Sequence, residues 1–246
     1  MNPIGVVICN YNKKDFVLQC VQSVLESKEK NFDIYVVDNA SSDGSAEALK
    51  KAYGNRITVI ENKENLGGSG GFNTGLRIVR DKGYSYFMCL DDDAAVDENA
   101  LSVLYHYMEE HTDTGMAGCR VYHTQMPDYI QQSGLLIDFD NCTAKTIGAD
   151  MPEDGSLPDV IECDTVATCA VMVRADTVKQ KGVGIMPEDN FIYWDDMEWG
   201  YRIKLAGYRV VTLAEAKALH QMGANTKKEN TFINYYMWRN RTNFFM

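Results

Sequence analysis

The feature that most constrains this chain is an alternation of β-branched runs with helix-period segments across about its first ninety residues. Ile4–Cys9, Ile34–Val37, Ile57–Ile60 and Tyr84–Leu90 have the length and composition of strands. Between the first two, Phe16–Leu25 carries apolar residues at helical spacing, and Ser42 or Asp43 can cap a helix through Ala46, Leu49 and Ala52. Another helix precedes the fourth strand. Strands separated by helices pair in parallel, so the predicted architecture is α/β: a mostly parallel sheet with helices on both faces.

After about Ala100 the rhythm changes. A helix through Leu101–Met108 leads into shorter strand-like pieces, Met116–Tyr122, Leu135–Asp138 and Val166–Val173, which predict a smaller, mixed sheet in the C-terminal half. Asp150–Asp159, with two prolines among acids and glycine, reads as a surface loop. At 246 residues, one domain accommodates all of this. The final segment, Thr231–Met246, is aromatic and basic and stops without a polar tail, which predicts the start of a helical extension that continues in the natural protein. A buried terminal helix is the alternative.

Charge excludes one class of partner. Lys and Arg number 24 against 35 Asp and Glu, and a net charge of −11 opposes a nucleic-acid backbone. An anionic ligand would need its repulsion cancelled locally, and a divalent cation is the economical way to do so. No apolar run reaches the ~18 residues of a membrane span. Seven cysteines without CxxC spacing, behind a start lacking a basic n-region and a cleavage site, predict reduced thiols in a cytoplasmic protein.

Four constellations could carry chemistry. Asp91-Asp92-Asp93 follow an apolar strand directly, and strand ends in open α/β sheets are where ligands bind. Adjacent carboxylates repel one another, so a hard cation, Mg²⁺ or Mn²⁺, explains them better than a helix cap does. A calcium EF-hand is excluded, because its sixth position would be Val96 rather than glycine. Asn65-Leu66-Gly67-Gly68-Ser69-Gly70-Gly71-Phe72-Asn73 reads as a glycine-rich loop before a helix, whose backbone N–H groups could approach a ligand closely. It is neither a dinucleotide fingerprint nor a P-loop.

In Trp194–Arg202, helical spacing puts Trp194, Met197, Tyr201 and Leu205 on one stripe and Asp196, Trp199 and Ile203 on another. A carboxylate lodged between tryptophans suggests a general base at Asp196, with Asp195 as a simple helix cap and Glu198–Arg202 as an i,i+4 pair. His220 follows a predicted strand, Tyr208–Leu213, and an imidazole beside the Asp cluster would complete a Mn²⁺ shell. His106, His111 and His123 have no such context.

Taken together, these motifs resemble family 2 glycosyltransferases of GT-A fold: Asn10-Tyr11-Asn12 at a first strand end, Val37-Asp38-Asn39 at the second, Asp91-Asp92-Asp93, and Asp195-Asp196. The Asn65–Asn73 segment, Trp194-Asp195-Asp196 and His220 resemble, more narrowly, the galactofuranosyltransferase-like and rhamnosyltransferase-like branch, although Gln221-Met222-Gly223 follow His220 where that branch suggests an aromatic.

The resemblance implies a single nucleotide-diphospho-sugar transferase domain. Residues 1–100 would form the nucleotide-binding half, 101–224 the acceptor-side half, and 225–246 the start of the extension. It implies that Asp38 meets a uracil or thymine edge near Asn10 and Asn12, that Asn65, Gly67, Gly68 and Asp92 line the nucleotide, and that Trp194 and Asp195 touch substrate. Asp91, Asp93 and His220 would hold Mn²⁺ or Mg²⁺, and Asp196 would be the catalytic base. The expected reaction is inverting transfer from a donor such as UDP-galactofuranose or dTDP-rhamnose to a glycan or lipid-linked acceptor, at the inner face of a membrane reached through the C-terminal portion. A sugar-nucleotide nucleotidyltransferase and a non-catalytic carbohydrate-binding module are the competing classes. The first normally needs a glycine-rich basic loop after strand one, where this chain has only Lys13 and Lys14.

Overall fold

A computed structural model describes residues 2–221 and 231–246; Met222 and Gly223 lie outside them, as does the start of the expected extension. The N-terminal alternation is realised as predicted. The elements are β1 (Ile4–Asn10), α1 (Lys14–Glu26), β2 (Phe32–Asp38), α2 (Ser45–Tyr53), β3 (Thr58–Glu61), α3 (Gly67–Lys82) and β4 (Tyr86–Asp91). β1 sits between β2 and β4, parallel to both, with Asn10 opposite Asp38 and Cys9 opposite Asp91. The chain thus runs outward from β1 to β3 and returns to the other side of β1. The carboxyl ends at that reversal form the crevice where open α/β sheets bind ligands.

Side-chain alternation fixes which helix covers which face. Ile4, Val6 and Ile8 pack with Val17, Val21 and Val24 of α1, while Val7 packs on the opposite face with Phe72, Leu76 and Val79 of α3. Both faces are covered, so the strand is apolar throughout rather than alternating with polar residues. Each such side chain contributes about 1.5–3 kcal/mol when fully buried, and truncating Leu76, which is 0% exposed, to alanine would cost about 2–5 kcal/mol.

The second half continues the same sheet. β5 (Ala94–Val96), α4 (Ala100–Glu110), β6 (Thr114–His123), β7 (Met126–Gln132), β8 (Leu135–Asp138), β9 (Thr143–Thr146), β10 (Met151–Pro152), β11 (Val160–Glu162) and β12 (Ala170–Arg174) follow. β12 runs antiparallel to both β4 and β6 and joins the halves, while β8 and β9 form a separate hairpin. α5 (Asp195–Leu205), β13 (Arg209–His220) and α6 (Thr231–Phe245) complete the described chain.

Several local expectations differ: Gly44, rather than Ser42 or Asp43, takes the cap position of α2, and the expected 150–159 loop contains the short strand β10. The glycines of Gly67–Gly71 lie inside the first turns of α3 rather than in a loop before it. They permit close packing: a Cβ on Gly71 would stand 2.4 Å from Cys9 Sγ. β13 runs on to His220 instead of ending at Leu213. Ala214-Glu215-Ala216-Lys217 has helical propensity, but pairing with β6 and β5 overrides it after an irregularity between Leu213 and Lys217. On α5, Trp199 and Ile203 are fully buried as the stripes imply, yet Leu205 is exposed. All seven cysteines are free thiols, and no helix among the described residues is long and apolar enough to cross a membrane.

Candidate active site

The ends of β1, β2 and β4 and the starts of α3 and α5 meet at a cleft of about 910 Å³. Its lining includes Lys13, Asn39, Asn65, Gly67, Gly68, Asp91, Asp92, Trp194, Asp195 and Asp196. Most of the predicted site residues therefore come together, although Asn65 and Asp196 stand 131 positions apart in sequence.

The acidic turn after β4 is held from two sides. Tyr11 N–H donates to Asp92 Oδ2 at 3.0 Å, and Lys13 Nζ donates to Asp92 Oδ1 at 3.0 Å and to Asp93 Oδ2 at 2.6 Å. From the other side, antiparallel pairing places His220 opposite Ala94, and Gln221 N–H donates to the Asp93 carbonyl at 3.1 Å. That ladder brings His220 Nε2 to 3.2 Å from Asp93 Oδ1 and 3.8 Å from Asp91 Oδ2.

Gln131 decides which imidazole nitrogen carries the proton. Its Nε2 donates to the His220 carbonyl at 3.2 Å, which turns Oε1 toward His220 Nδ1 at 2.7 Å. Nδ1 is therefore the N–H donor, and the Nε2 lone pair points at the carboxylates. With neutral histidine, Nε2 and Asp93 Oδ1 are two acceptors facing each other, and that buried Oδ1 accepts no hydrogen bond. A proton or a cation must sit between them. Ligand atoms of Asp91, Asp93 and His220 all lie within 4.8 Å of one another, a donor set of hard oxygens and one imidazole that fits Mn²⁺ or Mg²⁺.

The surroundings bias ionisation accordingly. Burial opposes the charge on Asp93, but the His220 imidazole beside it, when protonated, and the Lys13 ammonium together hold its carboxyl below the ordinary range. Burial likewise opposes protonation of His220, and Asp93 and Asp91 outweigh it, so the imidazole is more basic than usual. Asp92 is pushed up to about 6 by burial, which Lys13 only partly offsets.

The second carboxylate pair differs. Trp194 takes the cap position of α5 with no side-chain hydrogen bond, so Asp195 is not the cap. Asp196 Oδ1 accepts Met197 N–H at 2.7 Å, and Thr165 Oγ1 donates to the Asp196 carbonyl at 2.7 Å. Among the described residues no ion pair joins Asp195 or Asp196. Burial, and then the neighbouring Asp195 charge, raise Asp196 to about 7. The expected Glu198–Arg202 pair forms one turn further along.

Asn10, Asn12 and Asp38 do not line the cleft. Asp38 is 3% exposed and accepts Asn10 Nδ2 at 2.9 Å and Ser41 N–H at 3.0 Å, while Asn12 Oδ1 accepts Ser42 N–H at 2.7 Å. These residues tie the β1 and β2 ends together. At the start of α3, Gly67 N–H donates to Asn65 Oδ1 at 2.8 Å and Ser69 N–H to the Phe191 carbonyl at 3.3 Å, so part of the donor set expected for a ligand is used internally.

Sequence reasoning missed three residues. In sequence Lys13 reads only as loop charge, Gln131 lies on β7 with no motif around it, and Asn39 organises the 62–67 loop by accepting from Asn62 and Leu66 and donating to Asn65 and the Gly67 carbonyl. Only Asn39, immediately after Asp38, had a sequence signal.

A carboxylate cluster thus stands at the reversal point of an open α/β sheet, with a second acidic pair across the cleft. The glycosyl transferase family 2 model matches residues 5–171, and the chain belongs to that family. It is 27% identical over 146 residues to a teichoic acid poly(glycerol phosphate) polymerase of Staphylococcus epidermidis, covering 57% of this chain and 19% of that protein. It is 30% identical over 109 residues to the Escherichia coli UDP-Glc:alpha-D-GlcNAc-diphosphoundecaprenol beta-1,3-glucosyltransferase WfaP, covering 44% of this chain and 42% of that one. The chain thus spans less than half the length of either relative. Among solved structures, the mannosyltransferase PcManGT of Pyrobaculum calidifontis, in complex with GDP-Man and Mn²⁺, superposes with a TM-score of 0.67 at 16% identity, covering 91% of this chain and 58% of that one. The fold is GT-A.

Proposed function

We propose that this chain is a metal-dependent, inverting glycosyltransferase that moves a sugar from a nucleotide diphosphate donor to a glycan or lipid-linked acceptor in cell-surface polymer synthesis. The observation that carries the reading is the division of labour around one cleft: a charge-compensated set at Asp91, Asp93 and His220, of which Asp91 lines the cleft, and a carboxylate at Asp196 that no ion pair reaches among the described residues. In this reading residues 1–100 bind nucleotide and 101–224 form the acceptor side.

Asp91, Asp93 and His220 would hold Mn²⁺ or Mg²⁺, which when bound supplies positive charge to a leaving nucleoside diphosphate. The chain's own residues do the rest. Lys13 keeps Asp92 and Asp93 together, and Gln131 keeps the His220 Nε2 lone pair turned inward. Asp196 takes the proton from an acceptor hydroxyl as that oxygen attacks the anomeric carbon. One base and one displacement give inversion. Asn65, Gly67 and Gly68 form the donor-side wall, and Trp194 and Asp195 border the acceptor.

Relatives named for glycerol phosphate and glucosyl transfer support the polymer-building context. The Trp194-Asp195-Asp196 turn supports galactofuranosyl or rhamnosyl donors as the first to test. The experiment is a panel of nucleotide sugars assayed for Mn²⁺-dependent donor hydrolysis, which needs no acceptor. Release of nucleoside diphosphate from one donor is expected; no hydrolysis of any donor, with pyrophosphate formed instead from a nucleoside triphosphate and a sugar phosphate, would move the chain to the nucleotidyltransferases.

A further inference from the structure

The turn that delivers Asp195 and Asp196 has an unfavourable backbone. Phe191, Tyr193 and Trp194 have φ of 63°, 65° and 65°, in the positive-φ region that non-glycine residues rarely occupy. Such a backbone persists only if its surroundings hold it. On one side the start of α3 does so: Ser69 N–H donates to the Phe191 carbonyl, and that oxygen lies 2.2 Å from where a Cβ on Gly67 would stand.

On the other side the hold comes from α6. Asn240, 1% exposed, points its Nδ2 at the carbonyls of Asn190, Ile192 and Tyr193, each 2.8 Å away. Arg239 Nε donates to Asn240 Oδ1 at 2.8 Å, which fixes the amide's orientation. The Arg239 guanidinium also donates to the carbonyls of Asp189 and Asn190. Tyr236 stacks on Phe191 at 5.1 Å, and Phe244 and Phe245 each lie 5.5 Å from Trp194. Every carbonyl in this set belongs to the strained turn. α6 lies wholly outside the stretch matched by the family, residues 5–171.

We infer that Asn240, oriented by Arg239, is a positioning residue that clamps the 189–194 turn from α6 and so aims Asp196 at the acceptor. It touches no reacting atom. The inference rests on the reading of Asp196 as the base and adds that the base is in place only while α6 is docked. A side chain that cannot donate releases three carbonyls and lets the turn relax toward ordinary φ values. A displacement of about 1 Å at a catalytic group can lower turnover on the order of 100-fold.

The test compares Asn240→Asp, nearly isosteric but without the N–H donors, with the unaltered chain by hydrogen exchange and steady-state kinetics. The expected results are faster amide exchange confined to residues 189–196, a kcat lower by about 10–100-fold, and a donor KM within about twofold. The pH–rate midpoint is expected to move toward the ordinary carboxylate range as water reaches Asp196. Simple loss of folded protein would scale that curve without moving it. Should Asn240→Asp not fold, Arg239→Met removes the outer half of the clamp, with the same exchange pattern and about a tenfold loss of kcat expected. Unchanged exchange at 189–196, or an unchanged kcat and midpoint, overturns the clamp. Asp196→Asn run in parallel separates the two ideas: undiminished turnover there removes the base, while the exchange data still decide whether α6 holds the turn.

Discussion

Two acidic clusters share one cleft and differ in what neutralises them. Around Asp91–Asp93 stand Lys13 and His220, within 2.6–3.8 Å of the carboxylates. No ion pair reaches Asp195 or Asp196 among the described residues. The same side-chain chemistry thus acquires different protonation habits: in the first cluster Asp93 is held ionised below the usual range while burial raises Asp91 and Asp92, and in the second Asp196 is raised to about 7 by burial and by Asp195. Compensated carboxylates suit a cation, and a carboxylate poised near neutrality suits proton transfer.

The largest effect expected from breaking this contrast is on turnover. Asp196→Asn should lower kcat by about 10²–10⁴-fold, measured by nucleoside diphosphate release, and leave Mn²⁺-dependent nucleotide binding intact. Over pH, the wild-type rate should rise through about 7, because only ionised Asp196 accepts a proton. A flat profile from pH 5 to 9 would assign the proton elsewhere.

Gln131→Leu tests the other cluster through its tautomer. Freed of its partner, His220 can place its proton on Nε2, and Mn²⁺ affinity measured by titration should fall about 10–100-fold, as for other residues that orient metal ligands. In the unaltered chain the same titration should weaken as pH falls through the raised value of His220, since proton and cation compete for Nε2.

The smallest effect is on stability. The folded value of Asp196 lies above the unfolded value near 3.9, so stability is lost as pH rises between them, and the penalty is complete above about 7. Asp196→Asn should therefore raise Tm at pH 8–9, where the penalty is complete, and leave it unchanged at pH 4, where it is nearly absent. Equal Tm gains at both pH values would trace the effect to packing instead.

The contrast was only half legible in the sequence. β1 to β4 declared themselves through apolar runs separated by helix-period segments, and Asp91-Asp92-Asp93 announced itself because adjacent carboxylates are unfavourable without a partner. The partner was not visible: Lys13 lies 79 residues from Asp92 and reaches it only because β1 and β4 are neighbours. Gln131 sits 89 residues from His220 and depends on strand pairing beyond Leu213, in a stretch whose local propensity is helical. The Gly67–Gly71 run announced backbone proximity correctly, but what approaches Gly67 is the Phe191 carbonyl of the same chain. The terminal aromatic segment gave no hint that Asn240 would bond the turn some 50 positions earlier.

The most direct measurement is calorimetry of UDP and dTDP binding with Mn²⁺ and with chelator, on wild type, Asp93→Ala and Asp196→Asn. Binding of one of the two nucleotides is expected only with Mn²⁺, abolished or weakened at least about tenfold in Asp93→Ala and unchanged in Asp196→Asn. Equal affinity in chelator, or an Asp93→Ala variant indistinguishable from wild type, would contradict the assignment of the compensated cluster to the cation.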